Sequence, residues 1–214
     1  MSSISPAALA SILPDEGIAL TVAGEATPLY RRVLGDAWLK LAGPVRIFHT
    51  TGATLRGAGT FNVRRGESML ARALAGLLRL PASGEGRATR LVVTSLPEGE
   101  HWHRTFDGHS FVTEQHEHRE QQQQHLLAEH VGMMEILYRL DVKDGSLFYQ
   151  QTRAALRIGH RRVALPRRFA PRINACERPV VADRPRVHVS VRVDAPLAGL
   201  LVAYEGEIEL EETT

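Results

Sequence analysis

The chain has 214 residues, 43% of them hydrophobic, with a mean hydropathy of -0.16, a composition that supports one sizeable core and excludes a disordered or collagen-like polymer. A formal net charge of only +2 makes no case by itself for a polyanionic partner. The single cysteine, Cys176, rules out an internal disulfide framework and fits a reducing compartment.

No window approaches the roughly 18–20 continuous apolar residues of a membrane-spanning helix. Residues 1–26 lack the basic start of a secretory signal and carry Asp15 and Glu16, so a cytoplasmic protein is expected. Of the 26 basic residues only Lys40 and Lys143 are lysines; the remainder are guanidinium forks suited to bidentate pairing with carboxylates.

In chain order, residues 1–26 are rich in Ala, Ser and Pro and read as a loose lead-in to one domain over 27–214. Thr27-Pro28 supplies a helix start, with a hydroxyl cap and proline at the first helical position. Leu29, Val33, Ala37 and Leu41 then recur at helical spacing beside Leu34 and Trp38, and Gly43-Pro44 ends the stripe. Residues 45–49 read equally as a further helical turn or as a lead into a strand. Residues 53–63 place Leu55, Gly57, Gly59, Phe61 and Val63 on one parity, a glycine-bearing strand that another element can approach closely. A second helix is expected over 67–80, stopped by Pro81.

Beyond residue 86 the pattern is strand. Candidates cover 89–95, 101–106, 109–114, 133–142, 147–156, 172–179, 186–193 and 200–210. The last two are the clearest, with Val187, Val189, Val191 and Val193 alternating against polar residues, and Leu200 to Leu210 alternating against Glu205, Glu207 and Glu209. Asp107-Gly108 and Asp144-Gly145 predict tight hairpin turns that need positive φ. The polar, low-complexity stretch 114–125 reads as a long hairpin tip or loop. The expected class is α+β: a large curved antiparallel sheet of about eight or nine strands, a cup or half-barrel, packed with two N-terminal helices.

Six of the ten histidines lie at 101, 103, 109, 116, 118 and 125. The i, i+2 pairs His101/His103 and His116/His118 have metal-ligand spacing, but parity sends the first pair to solvent and no apolar anchor holds the second. No metal site, no cofactor and no catalytic residue is expected. Cys176 reads as a small semi-buried strand residue. Gly57-Ala58-Gly59 lacks the third glycine and the following helix of a dinucleotide fingerprint. The arginine-rich stretch 153–192 has few aromatics and arginines on both parities, against a nucleic-acid groove.

The chemical object that stands out is Trp102-x-Arg104-x-Phe106, a guanidinium between two aromatics on what should be the inner face. Such an arginine needs a carboxylate, several carbonyls or an anionic ligand.

Four segments in order carry a family resemblance: residues 29–35 (LYRRVLG), Trp102-x-Arg104-x-Phe106-x-Gly108, Leu165-Pro166-Arg167-Arg168-x-Ala170-Pro171, and Gly199-Leu200-Leu201-Val202-x-Tyr204-x-Gly206. Together they resemble the bacterial domain-of-unknown-function family numbered 4166. The resemblance implies an association with saccharopine-dehydrogenase-like nucleotide-binding domains, none of which is expected within these 214 residues, and no activity.

The functional expectation is a module binding an apolar or amphipathic small molecule in a sheet-lined cup, lined by Trp102, Arg104, Phe106 and Tyr138. One alternative is an enzyme or accessory domain working beside a separate oxidoreductase, with Arg104, Tyr138 and Glu135 as the nearest titratable types, although parity sets Glu135 opposite Tyr138. The other is a structural domain, a homodimer formed along the 200–210 strand or its glutamate face.

Overall fold

Strands that bury one face need a partner for that face, and ten strands of this chain find it in each other by closing into a barrel. The computed structural model describes residues 27–50, 54–119 and 125–211. Eleven strands are present among them. They are β1 (Thr54–Arg65), β2 (Gly84–Leu96), β3 (Gly99–Phe106), β4 (His109–Arg119), β5 (His125–Val131), β6 (Met134–Lys143), β7 (Ser146–Ile158), β8 (Arg161–Ala164), β9 (Arg172–Val180), β10 (Arg186–Ala195) and β11 (Gly199–Leu210).

β1 to β7 pair in sequence order, β9 to β11 continue the meander, and β11 returns to β1. Every ladder is antiparallel. The wall closes where β7 meets β9, and β8 hangs from β7 outside the ring. The sheet is therefore a closed up-and-down barrel rather than an open cup. Closure removes the sheet edges that an open cup would leave exposed. It also leaves β11 paired on both sides, with β1 and β10, so the 200–210 strand has no edge to offer a second copy.

Two strands exceed the expected set. β5 was hidden because Leu126, Leu127 and Ala128 are all buried in succession, which erases alternation. β8 was hidden because all four of its residues are exposed. The polar stretch 114–125 is mostly the continuation of β4 to Arg119 and the start of β5; residues 120–124 lie outside the described residues. The two aspartyl-glycyl turns form as expected, with φ of 44° and 82° at Asp107 and Gly108 and of 51° and 74° at Asp144 and Gly145.

Glycine makes the β1–β11 ladder tight. Gly59 faces Ile208 and Phe61 faces Gly206 across β1 and β11. A Cβ on Gly59 would stand 1.8 Å from the Glu207 carbonyl oxygen, and one on Gly206 2.1 Å from that of Thr60. The close approach read from the glycine parity is thus between neighbouring strands of the wall.

The helices are shorter than the sequence spacing suggests, and they stop the barrel at its ends. At one mouth sit α1 (Leu29–Leu34), a 3-10 turn over Gly35–Lys40 and α2 (Gly43–Phe48), in contact with β4, β5, β6, β9 and β10. Pro28 itself is the cap residue of α1, and no side chain caps it, so the Thr27 hydroxyl does not have the expected role. Gly43-Pro44 begins α2 rather than simply ending the stripe, with proline in its first turn. At the other mouth α3 (Met69–Leu77) contacts β1 and β11. Ser68 caps it by accepting the Ala71 amide hydrogen at 3.1 Å. The lead-in over 1–26 lies outside the described residues.

Candidate functional site

Period two sends every second residue of each strand into the barrel. On β3 these are Glu100, Trp102, Arg104 and Phe106, of which all but Arg104 are buried. The four residues singled out from sequence, Trp102, Arg104, Phe106 and Tyr138, all border one interior cavity of about 80 Å³. Phe61, Phe106 and Tyr204 pack edge to face beside it, with ring centroids 5.6–6.0 Å apart. A second chamber of about 60 Å³ lies toward α3, bordered by Leu78, Leu80, Phe111, Met134 and Leu201. The chambers share Glu129, Tyr138, Ile173, Val191 and Tyr204 as their common border. The two chambers therefore lie end to end inside the barrel, with these five side chains between them.

Arg104 is the cation of this lumen. Its guanidinium lies 4.8 Å from the centroid of Trp102 and 5.9 Å from that of Phe111, and it donates to Thr113 Oγ1 at 3.0 Å. Among the described residues it forms no ion pair. Two rings and one hydroxyl satisfy part of the guanidinium fork, which has five N–H donors. Capacity remains for an acceptor.

Opposite runs a polar chain that the sequence did not announce. His49, fully buried after α2, meets Glu177 Oε2 through Nε2 at 2.5 Å. Tyr149 donates to Glu177 Oε1 at 2.8 Å and lies 3.0 Å from the Tyr30 hydroxyl. Tyr30 donates to Gln115 Oε1 at 2.8 Å, and Gln115 Nε2 donates to Glu129 Oε1 at 3.3 Å. Glu129 in turn hydrogen-bonds Tyr138.

Glu177, Glu129, Gln115, Tyr149 and Tyr138 border the cavity, whereas His49 stacks on Tyr30 behind it with centroids 3.7 Å apart. Since the Glu177 carboxylate accepts, Nε2 of His49 carries the proton. Nδ1 is buried and has no hydrogen-bond partner among the described residues. Burial, reinforced by Glu177 for Tyr30 and Tyr149 and by Glu129 for Tyr138, raises these three hydroxyls well above the ordinary phenol value. Burial pushes Tyr204 up to about 12, with Arg104 pulling the other way. All four phenols stay protonated donors at neutral pH.

The remaining candidates lie elsewhere. Glu135 faces outward, as parity indicated, bonded to Arg162 Nε at 2.5 Å and 3.4 Å from His130 Nε2. Burial pushes its carboxyl up, but the Arg162 bond and charge hold it below the usual range. His103 is exposed and meets Ser110 Oγ at 2.7 Å; the His116 and His130 rings stand 4.8 Å apart. Among the described residues no three His, Cys, Asp or Glu side chains converge as a metal cage. Cys176 is half-buried in β9.

His49, Glu177, Tyr149 and Glu129 escaped notice because their partners are remote in sequence, 128 residues for the His49–Glu177 pair. One signal was available: Glu177 shares the inward parity of Ile173 and Ala175, a charge on an apolar face.

Against known proteins, the family model described as Domain of unknown function (DUF4166) matches residues 41–208. No curated protein and no solved structure matches the chain.

Proposed function

The chain belongs to the DUF4166 family, whose description states no activity, and from the geometry of its lumen we propose that it binds a slender amphipathic small molecule with an anionic head group. The observation that carries this reading is Arg104, a cation bordering an interior cavity and held by rings and a hydroxyl, with no carboxylate partner among the described residues.

Eight-stranded up-and-down barrels have interiors just wide enough for side chains or one small ligand, and ten strands enclose more. Chambers of about 80 and 60 Å³ are small beside the roughly 300–1,000 Å³ of drug-sized pockets. That favours a linear chain, head group at Arg104 and tail toward Leu78 and Leu80. About six buried methylenes contribute about 5 kcal/mol, more than the roughly 1.5–3 kcal/mol of one charged hydrogen bond. Arg104 therefore sets class and orientation more than total affinity.

Calorimetric titration with decanoate and decanol tests the reading. Arg104→Gln is expected to weaken decanoate about 10- to 100-fold and to leave decanol within about threefold. Absence of saturable decanoate binding, or equal losses for both probes, would overturn it.

A second reading rests on Glu177. A cavity-wall carboxylate oriented by His49 and Tyr149 has the form of a general base. It predicts that ligand recovered from the protein is chemically altered relative to ligand recovered from Glu177→Gln. Identical ligand from both would remove the enzymatic reading and leave the binding one intact.

A further inference from the structure

We propose that the arginine-lined groove outside the β7–β9 seam is the port through which an anionic ligand reaches the lumen, with the Gln151 side chain as its latch. The proposal rests on the binding reading above and adds a route and a recognition surface to it.

The seam is the thin part of the wall. β7 pairs with β9 only from Leu147 opposite Glu177 to Gln150 opposite Asn174. It then leaves β9 and pairs with β8 from Ala155 to Ile158. A bulge causes the departure. On the β6 side Tyr138 faces Gln151 and Leu137 faces Arg153, which leaves Thr152 without an opposite residue. Bulges bend the strand that carries them and are frequent at barrel rims and beside functional sites. Proline at 171 compounds the gap, because it has no N–H to offer a ladder.

Between the two pairings a side chain takes the place of backbone. Gln151 Nε2 donates to the Pro171 carbonyl oxygen at 2.7 Å, and Gln151 Oε1 accepts the Ile173 amide hydrogen at 2.9 Å. One primary amide thus stands in for a missing peptide group. A χ rotation breaks both bonds without disturbing any ladder, which is what a latch requires.

Outside the seam lies an open groove of about 900 Å³. Tyr149 and Ile173 border both this groove and the Arg104 chamber, and Pro171 and Ile173 border both the groove and the apolar chamber. The groove's described lining includes Arg167 and Arg172. Arg167 and Arg172 are exposed. Exposed cations at a rim raise the local concentration of anionic ligand and its association rate, in a salt-dependent way. The groove's arginines and Arg104 in the lumen favour the same ligand charge.

Stopped-flow fluorescence of Trp102 in a Trp38→Phe background, with decanoate as the probe, tests the port. Gln151→Ala should raise association and dissociation rates together, at least threefold each, with the equilibrium constant within twofold. Arg167→Glu with Arg172→Glu should slow association about tenfold at low salt, the gap closing near 0.5 M salt. If Gln151→Ala leaves both rates unchanged while Glu117→Gln, which loosens α1 at the helical mouth, accelerates them, the port is at that mouth and the proposal fails.

A ligand-free measurement separates this outcome from failure of the binding reading. Acrylamide quenching of Trp102 should at least double in Gln151→Ala even if decanoate does not bind. Unchanged quenching overturns the port by itself.

Discussion

The two ends of the barrel are stopped in opposite ways. At the α1–α2 mouth the seal is deep: Tyr30, Val45, Phe48 and His49 are at most 2% exposed, and Phe48 sets its ring edge against Trp102 and His49, at 5.7 and 5.3 Å. Polar groups pass inward from there through Glu177 to the cavity wall. Within α3 at the other mouth the buried residues are the small Ala71 and Ala75, while Met69 and Leu77 are 88% and 66% exposed. A side chain that enters a preformed barrel gains contacts on all sides; one lying across the rim gains them on one side. The helix expected over 67–80 is present as α3, and its covered face carries Ala71 and Ala75.

Perturbing each end should separate them. Phe48→Ala removes a buried ring from the deep seal and is expected to cost about 3–4 kcal/mol, read as a lowered urea midpoint; Leu77→Ala at the other end should cost less than about 0.5 kcal/mol. Equal losses would erase the contrast between the ends. Ser68→Ala removes the α3 cap and its bond to the Ala198 carbonyl at 3.0 Å. It should cost about 1 kcal/mol, and thermal unfolding would detect it.

One further contrast at the deep seal is electrostatic. Glu117 ties α1 to β4 through Arg32 Nε at 3.3 Å and also bonds Arg119 and His125. The Arg119 hydrogen bond leads the factors that pull its carboxyl down, to about 2 from 4.5, against an opposing push from burial. A depressed folded-state pKa means the stabilisation is full above about 4.5 and disappears as the pH falls toward 2. Glu117→Gln should therefore melt below the parent protein at pH 6, by the equivalent of about 1 kcal/mol or less. The two curves should converge near pH 2.

Much of the wall was legible because alternation is a local property. Trp102, Arg104 and Phe106 could be assigned inward from their own parity. The valines at 187–193 and the even positions of 200–210 could be assigned to one apolar face. Where exposure does not alternate the reading failed: β5, buried at three successive positions, and β8, exposed throughout. The arginines at 153, 167 and 172 looked scattered on both parities, and only the bend at Thr152 and the excursion through β8 gather them with Arg139 around one groove.

By itself the sequence determined the strand character of most of the chain, the turns at Asp107-Gly108 and Asp144-Gly145, and the inward direction of Arg104, because each depends on residues a few positions apart. Tertiary structure alone decided that the sheet closes, that His49 meets Glu177, that Arg104 has no carboxylate partner among the described residues, and that the wall thins at Gln151. Each of these depends on which distant strand supplies the neighbour. Periodicity within a strand specifies which way a side chain points, but not what stands opposite.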